Sequence, residues 1–377
     1  MPKTRTIAFS GGGTGGHIYP GLAVIEALRG RWDGRIVWIG SSKDSDRRAV
    51  EGAGIEYFAI PSGKLRRSFS LENAVDGFRV LAGYLAARRL LSELEPELLF
   101  SKGGYVSVPP CAAAASLGIP VFTHESDLTP GLATRLNARR AERILVSYEK
   151  TRGLLPEAAR GRATVVGNPV RAAIRRGDRE RGRALLGAPE GLPVVFFLGG
   201  SQGARQVNEL VAAALPALAK SAFVVHQTGE AQSGSGLVGS AGHECDAASK
   251  GRYKPFAYLR DEMPDVLAAA DLVVGRSGAG TLWECAALGK PMLLVPLCGS
   301  GTRGDQVDNA RLFVEAGAAS MLLGPEATPA ALVAGIEAFL GDPGRLAAAG
   351  AAAKTLAGSD AARLAADLIL DRLGVAR

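Results

Sequence analysis

The sequence predicts an α/β protein with two domains, each built around a parallel β-sheet. The chain has 377 residues, and a single hydrophobic core stops growing at roughly 250–300 residues, so the length favours two domains. Short apolar runs alternate with helical stretches in both halves, which is typical of βαβ units. Each half also opens with a strand, a glycine-rich loop and a helix. The pattern therefore predicts two Rossmann-like domains that face one another across a cleft.

The individual elements follow from apolar runs and the spacing between them. A helix is predicted over 21–28, with Pro20 near its start. Residues 171–190 are rich in Arg, Gly and Glu, which indicates a linker that leads into a surface helix. An alanine-rich helical stretch over 345–373 ends the second half. The predicted strands are 6–9, 35–39, 98–100, 120–123, 143–146 and 163–166 in the first half, and 193–198, 223–225, 272–274 and 292–295 in the second.

The composition indicates a folded protein without covalent cross-links. Apolar residues make up 47% of the chain and charged residues 21%, which excludes a disordered chain. The four cysteines form no Cys-x-x-Cys pair, so neither a disulfide framework nor a zinc site is expected. No signal peptide and no apolar run of about 18 residues is present, so we expect a cytoplasmic protein with at most peripheral membrane contact. The net charge of +7 permits anionic partners, but no motif favours nucleic acid.

Three glycine-rich loops, 11–17, 199–203 and 276–281, each follow a predicted strand and precede a helix. Glycine lets the backbone approach a ligand closely, and the start of the following helix attracts anions. Glu284 lies one turn into the helix after the third loop, where its carboxylate could accept hydrogen bonds from ribose hydroxyl groups. The loops therefore predict binding of a phosphorylated nucleotide.

The first loop also matches the Gly-x-Gly-x-x-Gly pattern of dinucleotide-binding proteins at Gly11, Gly13 and Gly16. In such proteins an acidic residue at the end of the second strand binds the cofactor ribose. Here that strand ends Ile39-Gly40-Ser41, without an acid. A dinucleotide-dependent dehydrogenase is therefore not expected.

His17 follows the first glycine loop directly and is the candidate general base. A helix start favours the neutral imidazole, which can take a proton from an acceptor hydroxyl group. His124 and Glu125 end another strand and would face the cleft in a parallel sheet, whereas His226 is expected to be structural.

The helical stretch 71–94 has two interpretations. The apolar residues of this stretch repeat at helical spacing, Phe69 precedes them, and arginines lie near them in the sequence. These side chains could form the core-facing side of an amphipathic helix. They could equally form an apolar patch that docks on anionic lipid beside its arginines. The residues are Phe69, Leu71, Val75, Phe78, Leu81 and Leu85, with Arg66, Arg67, Arg79, Arg88 and Arg89.

Eight motifs resemble those of the MurG family of peptidoglycan transferases. They occur in the family's order and cover nearly the whole chain. They are Gly11-Gly-Gly-Thr-Gly-Gly-His17 with Pro20-Gly-Leu-Ala-Val24; Gly103-Gly-Tyr-Val-Ser107; Gly118-Ile-Pro120; His124-Glu125; Val166-Gly-Asn-Pro-Val-Arg171; Gly199-Gly-Ser-Gln-Gly-Ala204; Arg276-Ser-Gly-Ala279 with Thr281 and Glu284; and Asp305-Gln306 with Asn309-Ala310. The resemblance implies a GT-B glycosyltransferase fold. It assigns 1–168 to an acceptor and membrane domain, with a C-terminal helix 353–377 that packs back on it, and 169–352 to a donor-binding domain.

The resemblance also implies transfer of N-acetylglucosamine from UDP-N-acetylglucosamine to lipid I, which yields lipid II. His17 would be the catalytic base, the Gly199–Gly203 loop with Arg171 would hold the donor diphosphate, Glu284 would bind the ribose, and backbone near Leu259 and Arg260 would read uracil. The donor-binding residues would be Thr14, Gly15, Gly16, Asp127, Arg171, Ser201, Gln202, Gly203, Ala279, Gly280, Thr281, Glu284 and Gln306. The acceptor-binding residues would be Gly12, Gly13, Gly104 and Tyr105. The membrane face would be Phe69, Leu71, Val75, Phe78 and Arg79 on an anionic surface.

Two residues depart from the family pattern. Asp127 stands where many members have Asn, so its carboxylate would need to bond sugar hydroxyl groups. Asp305 precedes Gln306 where His or Gln is more usual. Both departures leave the fold prediction intact and concern only the sugar contacts.

The mechanism expected from these residues inverts the configuration at the anomeric carbon, and it is expected to need no cofactor and no metal. Asp44-Ser-Asp46 has the spacing of a metal-binding pair, but we expect it in a polar loop after the second strand. The alternatives are another GT-B enzyme, such as a glycolipid sugar transferase or a UDP-N-acetylglucosamine 2-epimerase, and a non-catalytic nucleotide-sugar-binding or membrane scaffold protein.

Overall fold

The protein consists of two compact units, 1–171 with 359–377, and 172–358. The structure, a computed structural model, describes residues 4–63, 71–200, 203–229, 251–299 and 302–375, with only the backbone described over 71–75. The chain passes from the first unit to the second a few residues after the boundary predicted at 168, and it returns a few residues after the one predicted at 352.

The predicted C-terminal helix 353–377 is two helices, and the first of them belongs to the second unit. Helix Pro343–Ala357 ends at Gly358, whose φ of 54° and ψ of −132° are incompatible with a continuous helix. Asp360 then caps helix Ala361–Arg372 by accepting hydrogen bonds from two backbone amides. The chain therefore returns to the first unit between these helices.

The first unit contains a seven-stranded parallel sheet in the order β3-β2-β1-β4-β5-β6-β7. The strand order reverses between β1 and β4, and ligands of such sheets bind beyond the carboxyl ends of the strands at this switch point. The strands are β1 (Thr6–Ser10), β2 (Arg35–Gly40), β3 (Glu56–Ala59), β4 (Leu98–Ser101), β5 (Val121–Glu125), β6 (Arg143–Val146) and β7 (Ala163–Val165). The helices are Tyr19–Leu28, Asp44–Glu51, Leu71–Leu94, Val108–Ser116, Leu132–Ala138, Glu149–Leu154, Glu157–Arg160 and Ala361–Arg372.

The second unit contains a six-stranded parallel sheet in the order β10-β9-β8-β11-β12-β13, with its switch point between β8 and β11. Residues 171–190, which the sequence predicts as a linker that leads into a surface helix, contain two short helices, Ala172–Arg175 and Arg179–Leu186. The strands are β8 (Val194–Leu198), β9 (Phe223–Gln227), β10 (Tyr253–Phe256), β11 (Leu272–Gly275), β12 (Met292–Leu294) and β13 (Ala319–Met321). The helices are Ala172–Arg175, Arg179–Leu186, Arg205–Leu218, Met263–Ala269, Ala279–Ala287, Asp305–Glu315, Pro329–Leu340 and Pro343–Ala357.

Helix Ala361–Arg372 completes the core of the first unit. Its side chains Ile369 and Leu370 are fully buried in the same cluster as Val24 and Leu28. At its edge, Arg31 Nη2 lies 2.6 Å from Asp367 Oδ1. The end of the described chain is therefore an integral part of the first unit.

His226 on β9 is a buried structural residue of the second unit, as predicted. Its Nε2 lies 3.0 Å from Asn208 Oδ1 and its Nδ1 lies 3.1 Å from the hydroxyl oxygen of Tyr253. Burial lowers the pKa of His226 to about 4 from the ordinary value of 6.5. Between these two pKa values, the folded state therefore binds fewer protons than the unfolded state.

We expect acid to destabilise the second unit through His226. As pH falls from 6.5 towards about 4, the unfolded chain takes up a proton that the folded unit excludes, so stability is lost in this window. His226→Gln should reduce the pH slope of the unfolding free energy by up to about 1.4 kcal/mol per pH unit. Urea unfolding at a series of pH values measures both slopes. The two proteins should have equal slopes above pH 7, and parallel curves at all pH values would contradict the assignment.

Candidate functional site

The first glycine loop leaves β1 at the switch point of the first sheet, and it has no room for a side chain at Gly12 or Gly13. A Cβ at Gly12 would lie 2.7 Å from Asp46 Oδ2, and one at Gly13 would lie 2.8 Å from Cε1 of Tyr105. Both glycines have positive φ angles, 154° and 89°. The loop continues into a single 3-10 turn, Gly15–His17, and then into helix Tyr19–Leu28. The sequence therefore needs glycine here for steric reasons.

A buried carboxylate, that of Asp46, fixes this loop from the side of β2. Asp46 Oδ2 accepts hydrogen bonds from the Gly13 amide at 2.7 Å and from the Ser41 hydroxyl at 2.8 Å. Lys43 Nζ donates to the carbonyl oxygen of Gly13 at 3.0 Å. The prediction that Asp44 and Asp46 lie in a polar loop is wrong, because they form the first turn of helix Asp44–Glu51, where helix polarity favours acids. Sequence reasoning missed the role of Asp46, since its partner is distant in the chain.

His17 lies at the end of the 3-10 turn and packs against the glycine pair that follows β4. A Cβ at Gly104 would lie 2.9 Å from His17 Cδ2, and one at Gly103 would lie 3.9 Å from His17 Nδ1. These glycines have φ angles of 77° and 83°. The imidazole is half-buried, so it is held in place by backbone and still reaches the surface. The structure thus brings together the predicted residues His17, Gly104 and Tyr105.

His124 and Glu125 lie at the carboxyl end of β5, but their side chains serve the protein's own backbone. His124 is 1% exposed, and its Nε2 lies 2.9 Å from the carbonyl oxygen of Gly167. Burial holds the pKa of His124 well below its usual value, with a further contribution from the charge of Lys102. Glu125 accepts hydrogen bonds from the amides of Asp127 and Gly131, both at 3.0 Å. Both side chains are therefore buried and occupied by backbone groups of the first unit.

Arg171 is the last residue of the first part of this unit. Its guanidinium lies 4.7 Å above the ring of Tyr19, and a Cβ at Gly15 would lie 3.1 Å from the same ring. The Arg171 guanidinium therefore makes a cation–π contact with Tyr19 beside the first glycine loop.

In the second unit, glycine loops follow β8 and β11, the two strands at the switch point. A Cβ at Gly199 would lie 2.4 Å from the amide nitrogen of Ala204, and Gly203 has a φ of 77°. Helices Arg205–Leu218 and Ala279–Ala287 begin directly after the two loops. Two neighbouring helix starts at one sheet edge can bind an anion. Ser201 and Gln202 lie outside the described residues.

The loop after β11 is fixed to helix Asp305–Glu315 by neutral hydrogen bonds. Ser277 Oγ donates to the carbonyl oxygen of Gln306 at 2.7 Å, and Gln306 Oε1 accepts from the amide of Leu297 at 2.9 Å. Arg276 Nη1 donates to Gln206 Oε1 at 3.0 Å, and burial lowers the pKa of this guanidinium. The predicted residues Ala279, Gly280, Thr281 and Glu284 share the helix that starts at this loop, beside Gln306.

The remaining predicted positions of the second unit have local partners. The amide of Leu259 donates to Gln227 Oε1 at 2.9 Å, and the Arg260 guanidinium lies 5.2 Å from the ring of Tyr258. Asp305 pairs with Arg303 at 2.5 Å, so the carboxylate that departs from the family pattern is balanced by a neighbouring cation.

Two properties concern metals and membranes. Within the described parts of the chain, His, Cys, Asp and Glu side chains form no group of three or more that could hold a metal ion. Among the described helices, none combines the length and the apolar character needed to cross a membrane.

We expect Asp46→Asn to loosen the first glycine loop. An amide oxygen accepts more weakly than the carboxylate, and the loss of a charge-assisted bond should lower the unfolding free energy by about 1.5–3 kcal/mol. Hydrogen exchange at the Gly13 amide should become faster. Asp44→Asn, an exposed position on the same helix turn, is the matched control: it should leave the exchange at Gly13 unchanged and lower the unfolding free energy by less than about 1 kcal/mol. Unchanged exchange at Gly13 in Asp46→Asn would mean that another group holds the loop.

Both halves of the chain match one family of glycosyltransferases. Residues 7–146 match the Glycosyltransferase family 28 N-terminal domain, and residues 194–367 match the Glycosyltransferase family 28 C-terminal domain. The fold is similar to that of Acinetobacter baumannii MurG, with a TM-score of 0.74 at 23% identity over 98% of this chain and 99% of that one. It is also similar to UDP-GlcNAc 2-epimerase from Neisseria meningitidis bound to UDP-GlcNAc, with a TM-score of 0.67 at 12% identity over 98% and 99%. These structures show the two-domain GT-B fold.

Curated relatives share one name. The UDP-N-acetylglucosamine–N-acetylmuramyl-(pentapeptide) pyrophosphoryl-undecaprenol N-acetylglucosamine transferase of Treponema denticola is 46% identical over 97% of each chain. Transferase 2 of the same name from Bacillus cereus is 39% identical over 88% of this chain and 91% of its own. The glycine loops and the GT-B fold agree with this similarity, and the chain therefore belongs to glycosyltransferase family 28 and, within it, to the MurG family of N-acetylglucosamine transferases.

Proposed function

We propose that the protein transfers N-acetylglucosamine from UDP-N-acetylglucosamine to the muramyl 4-hydroxyl group of lipid I, which forms lipid II for peptidoglycan synthesis. The observation that carries this proposal is the 46% identity to the Treponema denticola transferase over 97% of each chain. The epimerases among the structural relatives share the fold at much lower identity. The glycine loops and His17 supply the chemistry that a transferase requires.

The donor diphosphate is assigned to the second unit. Helices Arg205–Leu218 and Ala279–Ala287 begin at the switch point of that sheet, and their free amides favour a diphosphate. Gly203 belongs to the loop before the first of these helices, and Ser201 and Gln202 of that loop are proposed to contribute as well. Glu284 then accepts hydrogen bonds from the ribose hydroxyl groups.

The acceptor and the reacting hydroxyl group are assigned to the first glycine loop. Gly12, Gly13, Gly104 and Tyr105 are proposed to line the acceptor site, beside the half-buried His17. His17 accepts the proton of the attacking hydroxyl as the bond to the anomeric carbon forms and the bond to UDP breaks, which inverts the configuration. Thr14, Gly15, Gly16 and Asp127 are proposed to contact the transferred sugar.

The charge of the leaving UDP is proposed to be met without a metal. Backbone amides at the helix starts and the guanidinium of Arg171 can stabilise a developing diphosphate charge. Arg171 is preoriented for this role by its stacking on Tyr19.

The proposal is tested by UDP release from UDP-N-acetylglucosamine, with and without a short-chain lipid I analogue, in EDTA. Release should depend on the analogue and should survive the chelator. Release or epimerisation with the donor alone, and no transfer to the analogue, would replace the transferase assignment by an epimerase. Acceptor-dependent release that disappears in EDTA would keep the transferase and overturn its metal-free mechanism.

His17→Ala should lower kcat by about 10²–10⁴, the usual contribution of a general base. The KM values of both substrates should change much less, because the backbone of the loop remains. Steady-state UDP release measures both quantities, and a thermal unfolding curve like that of the wild type controls for folding. Near-normal turnover in this variant would remove His17 from the role of base.

Helix Leu71–Leu94 carries the proposed membrane face of the first unit. Phe78 is 75% exposed, Leu81 56% and Leu85 58%, so the interpretation that buries these three side chains in the core is wrong. Their spacing places them on one side of the helix, and Arg88 and Arg89 are exposed nearby. Arg79 is also exposed and pairs with Asp76. Phe69 and the side chains of Leu71 and Val75 lie outside the described residues. We propose that this face docks the enzyme peripherally on the cytoplasmic side of the plasma membrane, where anionic lipid attracts the arginines.

Replacing Phe78 and Leu81 together by Ser should weaken binding to vesicles of phosphatidylglycerol and phosphatidylcholine by about tenfold or more, because two apolar side chains no longer enter the interface. Vesicle sedimentation measures the binding. Leu185→Ser, at an exposed leucine of the second unit, is the control and should bind as the wild type does. Equal binding of all three proteins would place the membrane contact elsewhere.

A further inference from the structure

A buried lysine that the proposed mechanism does not use lies beside the first glycine loop. Lys102 follows β4 directly, precedes the glycine pair that packs on His17, and is 1% exposed. A Cβ at Gly11 would lie 3.2 Å from Lys102 Cβ, so the lysine is packed beneath the loop. A lysine is rarely buried in this way unless a charge or a ligand requires it.

The hydrogen bonds of Lys102 lead to the loop 126–131, which carries Asp127. Lys102 Nζ donates to Ser126 Oγ at 2.5 Å, and Ser126 Oγ donates to Asn168 Oδ1 at 2.8 Å. Ser126 is 8% exposed and Asn168 is 1% exposed. Within the described part of the chain, Asn168 Nδ2 has no hydrogen-bond partner. The series of hydrogen bonds that starts at Lys102 therefore ends at Asn168 Nδ2, a donor without a partner among the described residues.

The loop 126–131 is itself held by an acid. The two carboxylate oxygens of Glu125 accept the amides at both ends of the loop, those of Asp127 and Gly131. Thr151 Oγ1 also donates to the carbonyl oxygen of Leu128 at 2.9 Å. The loop is thus rigid, and it contains the half-buried Asp127 next to the buried Glu125.

Two carboxylates this close to a low-dielectric interior require a counter-charge. Lys102 interacts electrostatically with both, and their charges partly offset the burial that lowers the pKa of Lys102 to about 8. At neutral pH the lysine therefore remains mainly cationic. Arg135 Nε also donates to the carbonyl oxygen of Pro130 in this loop at 3.1 Å, whereas Lys102 is the buried cation that interacts with both acids.

We propose that Lys102 is a positioning residue that balances Asp127 and, through Ser126, fixes it so that its carboxylate can bind a sugar hydroxyl group. Asp127 and Lys102 then form a functional pair, in which the acid is tolerated near phosphorylated substrates because the lysine neutralises it. This inference rests on the proposed transferase function, since the sugar belongs to one of its two substrates.

A double-variant cycle tests the pair. Lys102→Met removes the buried cation that interacts with both acids, and we expect kcat/KM to fall by about 100-fold. Asp127→Asn alone should cost less, and Lys102→Met with Asp127→Asn should be at least about tenfold more active than Lys102→Met alone. The KM of UDP-N-acetylglucosamine or of the lipid I analogue should rise in Asp127→Asn, which identifies the sugar concerned. Lys102→Met combined with Asp44→Asn is the matched control and should show no recovery.

Ser126→Ala separates position from charge. It removes the hydrogen bond and keeps both charges, so KM should rise in the same substrate as for Asp127→Asn, and the unfolding free energy should fall because the buried ammonium group of Lys102 loses an acceptor. Unfolding free energies of the four cycle proteins give an independent measure of the coupling, which does not depend on activity. If the double variant is neither more stable nor more active than Lys102→Met, the pair does not exist. Absence of transfer by the wild type would instead contradict the proposed function while leaving the stability cycle intact as evidence on the pair.

Discussion

The amide of Gly13 donates its hydrogen to the buried carboxylate of Asp46, and the first glycine loop takes its shape around this contact. The same carboxylate excludes any side chain at Gly12, and the Tyr105 ring excludes one at Gly13. The loop then has one path into the 3-10 turn that ends at His17. Because the glycines after β4 close on the imidazole from the other side, the position of His17 follows from the backbone around it.

Each unit has a glycine loop followed by a helix at its switch point, but different kinds of side chain hold the loops in the two units. The first unit places a carboxylate behind its loop, which offsets part of the positive field of the helix start. The contacts described around the third loop involve Ser277, Gln306 and the guanidinium of Arg276, all neutral or positive. Among the described contacts, the third loop has no carboxylate that opposes the positive field of its helix start. This difference supports the assignment of the donor diphosphate to the second unit.

The sequence was sufficient to predict features that depend on neighbouring residues. Alternating apolar runs predicted two parallel sheets, and glycine clusters predicted the turns after β1, β8 and β11. The bonds of Asp46 and Lys102 join positions that are far apart in the chain, so no local pattern revealed them. The exposure of Phe78 was undecided for the same reason, because helical periodicity gives a face and not what covers it. The helix break at Gly358 was not predicted, because the alanine-rich sequence around it favours a continuous helix and does not reveal the backbone conformation of one glycine.

The first unit is discontinuous, since helix Ala361–Arg372 supplies Ile369 and Leu370 to a core that otherwise comes from 1–171. During synthesis, the ribosome must therefore finish the entire second unit before the first can close its core. Until then, the groove that receives this helix exposes apolar surface that is open to aggregation. Docking of helix Ala361–Arg372 then covers this surface with Ile369 and Leu370, so a core that begins at β1 is completed by residues that follow the whole second unit in the chain.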